Sequence, residues 1–452
     1  MQAVHSAENN YQRMTKASIP GLITRMAIPT IISMLVTAVY NLADTFFVSQ
    51  INTQSTAAVG ISFSVMAILQ SLGFFFGHGS GNYISRQLGA QKRKEARQMA
   101  ATGFYYALIL GGIIALLGWL YITPIASALG ATPTIQPYAE RYLSIVLLSA
   151  PFFVASLTLN NQIRLQGNAV YSMIGIVSGA IINVILDPIL IFGFDMGITG
   201  AAIATAVGQF CSFILLLFMT YRGGTLPVNV KDFNPSWTFF KEIIYGGAPS
   251  LARQGLASFS TILLNVSAGI YGDAAIAGMT IVSRVGFFIQ SIIIGFGQGF
   301  QPVCGFNYGA KQYSRVLQGF WFCVKFGVIY LTLCAIIGIT FAEEIVSLFR
   351  KGDADVIAVG ASALRWQFIA FPISAFTTIS NMMLQTIRKS VRATILSSAR
   401  QGLFYIPLIF ILPHFFGLHG IEMCQAISDI LTFFLAIPLV YSVIFKELKT
   451  QN

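Results

Sequence analysis

Charge is what this sequence has least of. Asp, Glu, Lys and Arg make up 10% of its 452 residues, where a soluble domain carries about 25%, and that excludes a mostly water-facing surface. Cysteine is scarce too. The five (Cys211, Cys304, Cys323, Cys334 and Cys424) all fall inside apolar runs without a CxxC pair. Neither a disulfide framework nor a zinc site is expected, and the thiols read as small apolar filler. The N-terminal stretch "MQAVHSAENNYQRMTKASIPG" lacks the apolar core and cleavage site of a signal peptide, so the first apolar run is expected to stay in the mature chain. A nucleophile elbow, an HExxH motif, a phosphate loop and a sizeable polar domain are all missing. An enzyme is not expected.

What is present is apolar: 55% of residues, with a mean hydropathy of +0.73. The runs reach about 20 residues or more, enough to cross roughly 30 Å of hydrocarbon as helix. They are continuous and do not alternate with a period of two, which favours helices over a barrel. Twelve such helices are predicted, beginning near Leu22, Thr56, Ala100, Tyr138, Val170, Ile198, Ile243, Ile276, Gln318, Gly360, Val391 and His419. The expected fold class is an all-α polytopic membrane protein of two six-helix bundles. Its division is 1–225 for the first lobe (helices 1–6), 226–242 for a cytoplasmic linker, and 243–452 for the second lobe (helices 7–12).

Lys and Arg cluster in alternate connections. Arg13, Lys16 and Arg25, then Arg86 with Lys92, Arg93, Lys94 and Arg97, then Arg164, then Arg222, Lys231 and Lys241, then Lys311 and Arg315, then Arg388, Lys389 and Arg392, and finally Lys446 and Lys449 fall on one side. The other side's loops hold Arg141, Arg350 and Lys351. Positive charge stays inside, which places both termini in the cytoplasm. The net charge of +11 is thereby accounted for, and no nucleic-acid partner is implied.

The halves are repeats. Shifting the chain by 220 residues brings Pro29 onto Pro249, "QSLGFFFGHGS" onto "QSIIIGFGQGF", and "GAQKRKEA" onto "GAKQYSRV". Six helices per half is an even number, so the copies share one orientation about an axis along the membrane normal. Where the copies differ is informative. Asp44 meets Leu264 and, with the one-residue slip that brings Pro188 onto Pro407, Asp187 meets Ile406, so the scaffold accepts an apolar residue at both places and neither carboxylate is needed for the fold.

Counting at 1.5 Å per residue puts Asp44 on helix 1, Asp187 on helix 5 and Thr205 on helix 6 roughly 6–10 Å below the outer boundary. Asn183 and Asp187 are i,i+4 and share a face. Thr37, Tyr40, Asn41 and Asp44 form a polar stripe at helical spacing. Pro188 has no N–H, which frees the carbonyl of Val184 as a further oxygen ligand. A carboxylate at this depth costs about 2.5–3.5 kcal/mol, and two close together repel when both are ionised. Such a pair can hold a proton, a Na⁺ or a cationic substrate in turn. The alternative is a structural hydrogen-bonded pair, Asn183 and Asp187, bridging helices.

The stretches "YNLADTFFVSQ", "GSGNYISRQLGAQKRKEARQ", "RLQGNAVYSM", "INVILDPILIFGFDMGITGAAIATAVGQ" and "FGQGFQPVCGFNYGAKQ" resemble the multidrug and toxic compound extrusion (MATE) family, from about residue 18 to 446, and within it the DinF-type prokaryotic branch. The resemblance implies a V-shaped two-lobe fold in the prokaryotic inner membrane. It also implies alternating access and export of amphipathic cationic drugs and dyes in exchange for H⁺ or Na⁺, with no other cofactor. Asp44, Asn183, Asp187 and Thr205 occupy that branch's acidic site, and would be the ligands of a Na⁺ if that is the coupling ion. The second half lacks the acidic residues found on helices 7 and 10 in another branch, having Arg253 and Gln254 on helix 7.

Further polar residues lie within spans. Asp429 is a candidate for substrate or coupling, although an ion pair with Arg284 or Arg400 is the stronger reading. Arg253, Arg284 and Arg400 suit internal pairing or a lipid phosphate. A second function therefore stands beside drug export: flipping of a phosphate-bearing lipid held by those three arginines. His78 reads as a satisfied bundle histidine. A functional monomer is expected, since the seam between repeats already offers a pathway.

Overall fold

A computed structural model describes residues 2–222 and 224–448, with side chains from residue 8 onward. Lys449, counted above among the inner charges, lies outside the described residues. Every regular element among the described residues is helical. After α1 (Gln2–Lys16), the first lobe comprises α2 (Ile19–Ser49), α3 (Thr53–Gly89), α4 (Arg93–Leu120), the short α5 (Ile122–Ala128), α6 (Gln136–Leu165), α7 (Ala169–Pro188) and α8 (Gly197–Met219). The second comprises α9 (Trp237–Gly269), α10 (Asp273–Gly309), α11 (Tyr313–Thr340), the short α12 (Ala342–Phe349), α13 (Ala354–Thr386), α14 (Ser390–Ser398), α15 (Tyr405–Phe416) and α16 (Leu418–Val443). A π-helical turn, Ala399–Leu403, joins α14 to α15 as one span, and another, Ile189–Gly193, follows Pro188.

Eleven spans among the described residues are long and apolar enough to cross a bilayer. The remaining long helix, α9, has 33 residues, about 50 Å. It carries Lys241, Glu242, Arg253, Gln254 and a run of small and hydroxylated residues, which keeps it less apolar than the rest. The duplication is physical: α3 and α10 each have 37 residues, and α4 and α11 each have 28. Even the left-handed turn residues correspond, Gln91 and Lys311 both having φ 59°. The helix α1 has no apolar run to announce it. It bridges the lobes on the inner side, where Arg13 donates to the Gly167 carbonyl (2.8 Å) and Asn307 donates to the Met14 carbonyl (3.0 Å).

Glycine sets how the lobes meet. A Cβ on Gly79 would stand 2.4 Å from the Ile243 carbonyl oxygen, and one on Gly299 2.6 Å from the Ala27 backbone; only small residues let backbones approach so closely. Polar ties add to this. Arg86 donates to the Thr386 carbonyl (2.7 Å) and pairs with Glu242 (3.2 Å), which Arg388 also holds. Thr30 donates to the Gly295 carbonyl at 2.7 Å. All these contacts lie toward the end of the molecule where α3 and α10 terminate, at Gly89 and Gly309. Toward the opposite end Phe46 and Leu42 of α2 and Val266 and Ile270 of α9 are exposed. The lobes thus form a V joined at the end where α3 and α10 terminate.

Candidate functional site

The site begins with two glycines. A Cβ on Gly179 of α7 would lie 2.5 Å from the Gly208 carbonyl oxygen, and one on Gly208 of α8 would lie 2.7 Å from that of Gly179. This backbone contact brings the next turn of each helix together, and Asn183 Nδ2 donates to Thr205 Oγ1 at 3.3 Å. One turn beyond Asn183 is Asp187, fully buried. Across from them the polar stripe of α2 completes the group. Tyr40 of α2 and Tyr142 of α6 face the same space as Asp44, Asn183 and Thr205.

The chemistry lies in what is left unpaired. Both carboxylate oxygens of Asp187, Oδ1 of Asp44 and Oδ1 of Asn183 are buried with no hydrogen-bond partner among the described residues. Buried acceptors without donors are costly, and a bound cation or proton satisfies several at once. The described residues contain no cluster of three or more His, Cys, Asp or Glu able to hold a metal. Two carboxylates with neutral oxygens make a hard-oxygen donor set that can take up a proton or a cation.

Beside this group is a cavity of about 150 Å³, many times the 10–15 Å³ that one water or ion needs. Thr37, Tyr40, Asn41, Asp44, Asn183 and Thr205 all line it. Asp187 is not in the wall; it lies behind, with no exposure. The lining also includes Gln70, Tyr142, Gln209, Phe63, Met66 and Phe153. Of these, sequence gave a sign only for Gln70, whose repeat partner is Gln290, and Gln209, which stands opposite Asp429 in the repeat. The lining comes wholly from the first lobe, so the cavity sits inside that bundle and not on the seam.

The second-lobe residues do not form one group. Asp429, 2% exposed, is gripped by Arg400 through Nε (2.7 Å) and Nη2 (3.1 Å) and also accepts from Gln425; of the two partners proposed, Arg400 is the one. Arg284 is exposed. Arg253 donates to Asn381 Oδ1 at 3.4 Å. A head-group site built from all three arginines is therefore not assembled. His78 is satisfied, between the Phe74 carbonyl, Ser250 and Arg164. Arg164 departs from expectation. Placed by charge counting at the inner edge, it is 1% exposed and reaches into the other lobe, donating to the Gln298 carbonyl (2.6 Å) and Gln301 (3.2 Å).

A duplicated helical bundle with a polar cavity in one lobe is an architecture of multi-pass membrane transporters. The comparisons with known proteins agree. A family model described as MatE matches residues 29–189 and 249–411, once in each repeat. Multidrug export protein MepA of Staphylococcus aureus (strain MSSA476) is 30% identical over 431 residues, 94% of each chain. Its namesake in Staphylococcus haemolyticus (strain JCSC1435) is 29% identical over 429 residues, again 94% of each. A solved outward-facing multidrug resistance MATE transporter of the MOP superfamily superposes with a TM-score of 0.89 at 25% identity, covering 100% of this chain and 99% of that one. A MOP superfamily transporter from Pyrococcus furiosus, described as having a binding pocket of reverse polarity that suggests a different function, gives 0.90 at 26% identity over 97% and 98%. The chain belongs to the MATE family.

Proposed function

We propose that the protein is a secondary active multidrug exporter, moving amphipathic organic cations out of the cell in exchange for H⁺ or Na⁺ by alternating access. The observation that carries this reading is the pair Asp44 and Asp187, with buried, unpartnered oxygens, placed at a cavity far larger than an ion. Asp187, behind the wall, holds the coupling ion together with Asn183 and Thr205 of the lining. Asp44, in the wall, is the point where a drug's positive charge and the ion compete. Tyr40, Tyr142, Phe63 and Phe153 offer aromatic faces to a cation, and Met66 adapts to varied shapes. The naming of the staphylococcal relatives as multidrug export proteins supports the same substrate class.

The protein acts as a monomer in the prokaryotic inner membrane with both termini in the cytoplasm, because cleft and cavity both lie within one chain. The test is drug sensitivity of cells making Asp44→Asn or Asp187→Asn, variants that keep side-chain volume. Both are expected to lose protection against lipophilic cations at unchanged membrane abundance. Full protection by both variants would contradict the reading.

A further inference from the structure

On α9, Gly246 packs against the backbone of Gly79, and Ser250, one turn on, bonds to His78 at 3.1 Å. Arg253 follows at the next position of that face, i+7 from Gly246. Arg253 therefore sits one turn past the contact between the lobes, and it is partly exposed there.

Its surroundings supply donors and positive charge but no negative charge. A guanidinium has five N–H donors, and the one polar contact Arg253 makes among the described residues is the long bond to Asn381. Arg164 is close enough to feel its charge, as is His78. Neither arginine pairs with a carboxylate among the described residues. Asp429 is committed to Arg400 and Glu242 to Arg86 and Arg388, while Asp44 and Asp187 belong to the first-lobe site. Arg164 Nε and Gln301 Nε2 are buried donors without acceptors. Intramembrane arginines are costly unless a counter-charge or cavity serves them, and a planar guanidinium matches an oxyanion with two parallel hydrogen bonds.

We propose that this junction between the lobes binds an oxyanion on Arg253, beside Asn381 and in the field of Arg164: either a small free anion or the acidic group of a transported molecule. A molecule carrying both a cationic and an acidic group then has a receptor for each, at the first-lobe carboxylates and on the second-lobe wall. The substrate-borne form rests on the drug-export reading; the free-anion form does not.

The experiment uses the purified full chain and two dyes: rhodamine B, with a free carboxylate, and rhodamine 6G, whose acid is masked as an ester. Inorganic phosphate and acetate serve as free anions. If the anion is substrate-borne, Arg253→Gln weakens rhodamine B binding at least about tenfold, the loss expected for a charge-assisted hydrogen bond, and leaves rhodamine 6G unchanged. If it is free, phosphate or acetate raises the wild-type unfolding temperature saturably, and Arg253→Gln loses that response. Unchanged binding of both dyes, with no saturable stabilisation, overturns the proposal. Should Arg253→Gln bind neither dye, Arg253→Lys replaces it: selective weakening of rhodamine B supports the proposal, and equal effects on both dyes overturn it. Wild type that binds neither dye counts against drug export, while the phosphate and acetate response still decides the anion site.

Discussion

Gly208 lies against Gly179 so closely that a methyl group on it would stand 2.7 Å from the Gly179 carbonyl oxygen. The distance between Asn183 and Thr205 depends on that contact, because each polar residue is one turn from its glycine. Gly208→Ala is expected to push α7 and α8 apart and cost about 1–3 kcal/mol, as overpacking does, with loss of dye binding. Thermal unfolding and dye titration in detergent check this; wild-type dye affinity in the variant contradicts it.

Asp429 and Arg400 form a bidentate ion pair in which the Asp429 side chain is 1% exposed. Removing one partner leaves an uncompensated charge, so Asp429→Asn is expected to destabilise by about 3 kcal/mol. The double change Asp429→Leu with Arg400→Met removes both charges and is expected to recover most of that loss. A double variant no more stable than the single one would mean that the pair has a role beyond neutralising itself.

The tie between Arg86 and Glu242 crosses the lobes on the inner side. Glu242→Gln cuts the charge on which both Arg86 and Arg388 converge. Losing a hydrogen bond to a charged group weakens the inner closure by about 2 kcal/mol, a shift of roughly thirtyfold in population. Spin labels at the exposed Lys92 and Lys311 are expected to show a larger long-distance population than wild type. An unchanged distribution would place the closure elsewhere.

Much of this was legible in the sequence, and for physical reasons. Apolar runs are visible because a bilayer demands their length, and each long helix starts within about two turns of its expected residue. Asp44 and Asp187 stood out because charge in lipid is costly and their repeat partners are apolar. The rest depended on packing. Tyr142 and Phe153 look like ordinary span residues until α6 is placed beside α3 and α8. The helix α1 is polar and has no run to mark it. Arg164 ends its helix as an inner-loop arginine does, and only the approach of α10 buries it. The cavity belongs to the first lobe because Gly179 and Gly208 draw α7 to α8, a contact that a repeat alignment does not reveal.

Exchange of a coupling ion for a drug cation at Asp187 is the step on which the proposed export depends. The most direct measurement loads liposomes containing the purified protein with ethidium and imposes an inward H⁺ or Na⁺ gradient separately. Efflux is predicted under one gradient and lost in Asp187→Asn. Equal efflux by wild type and Asp187→Asn under the same gradient would contradict the account.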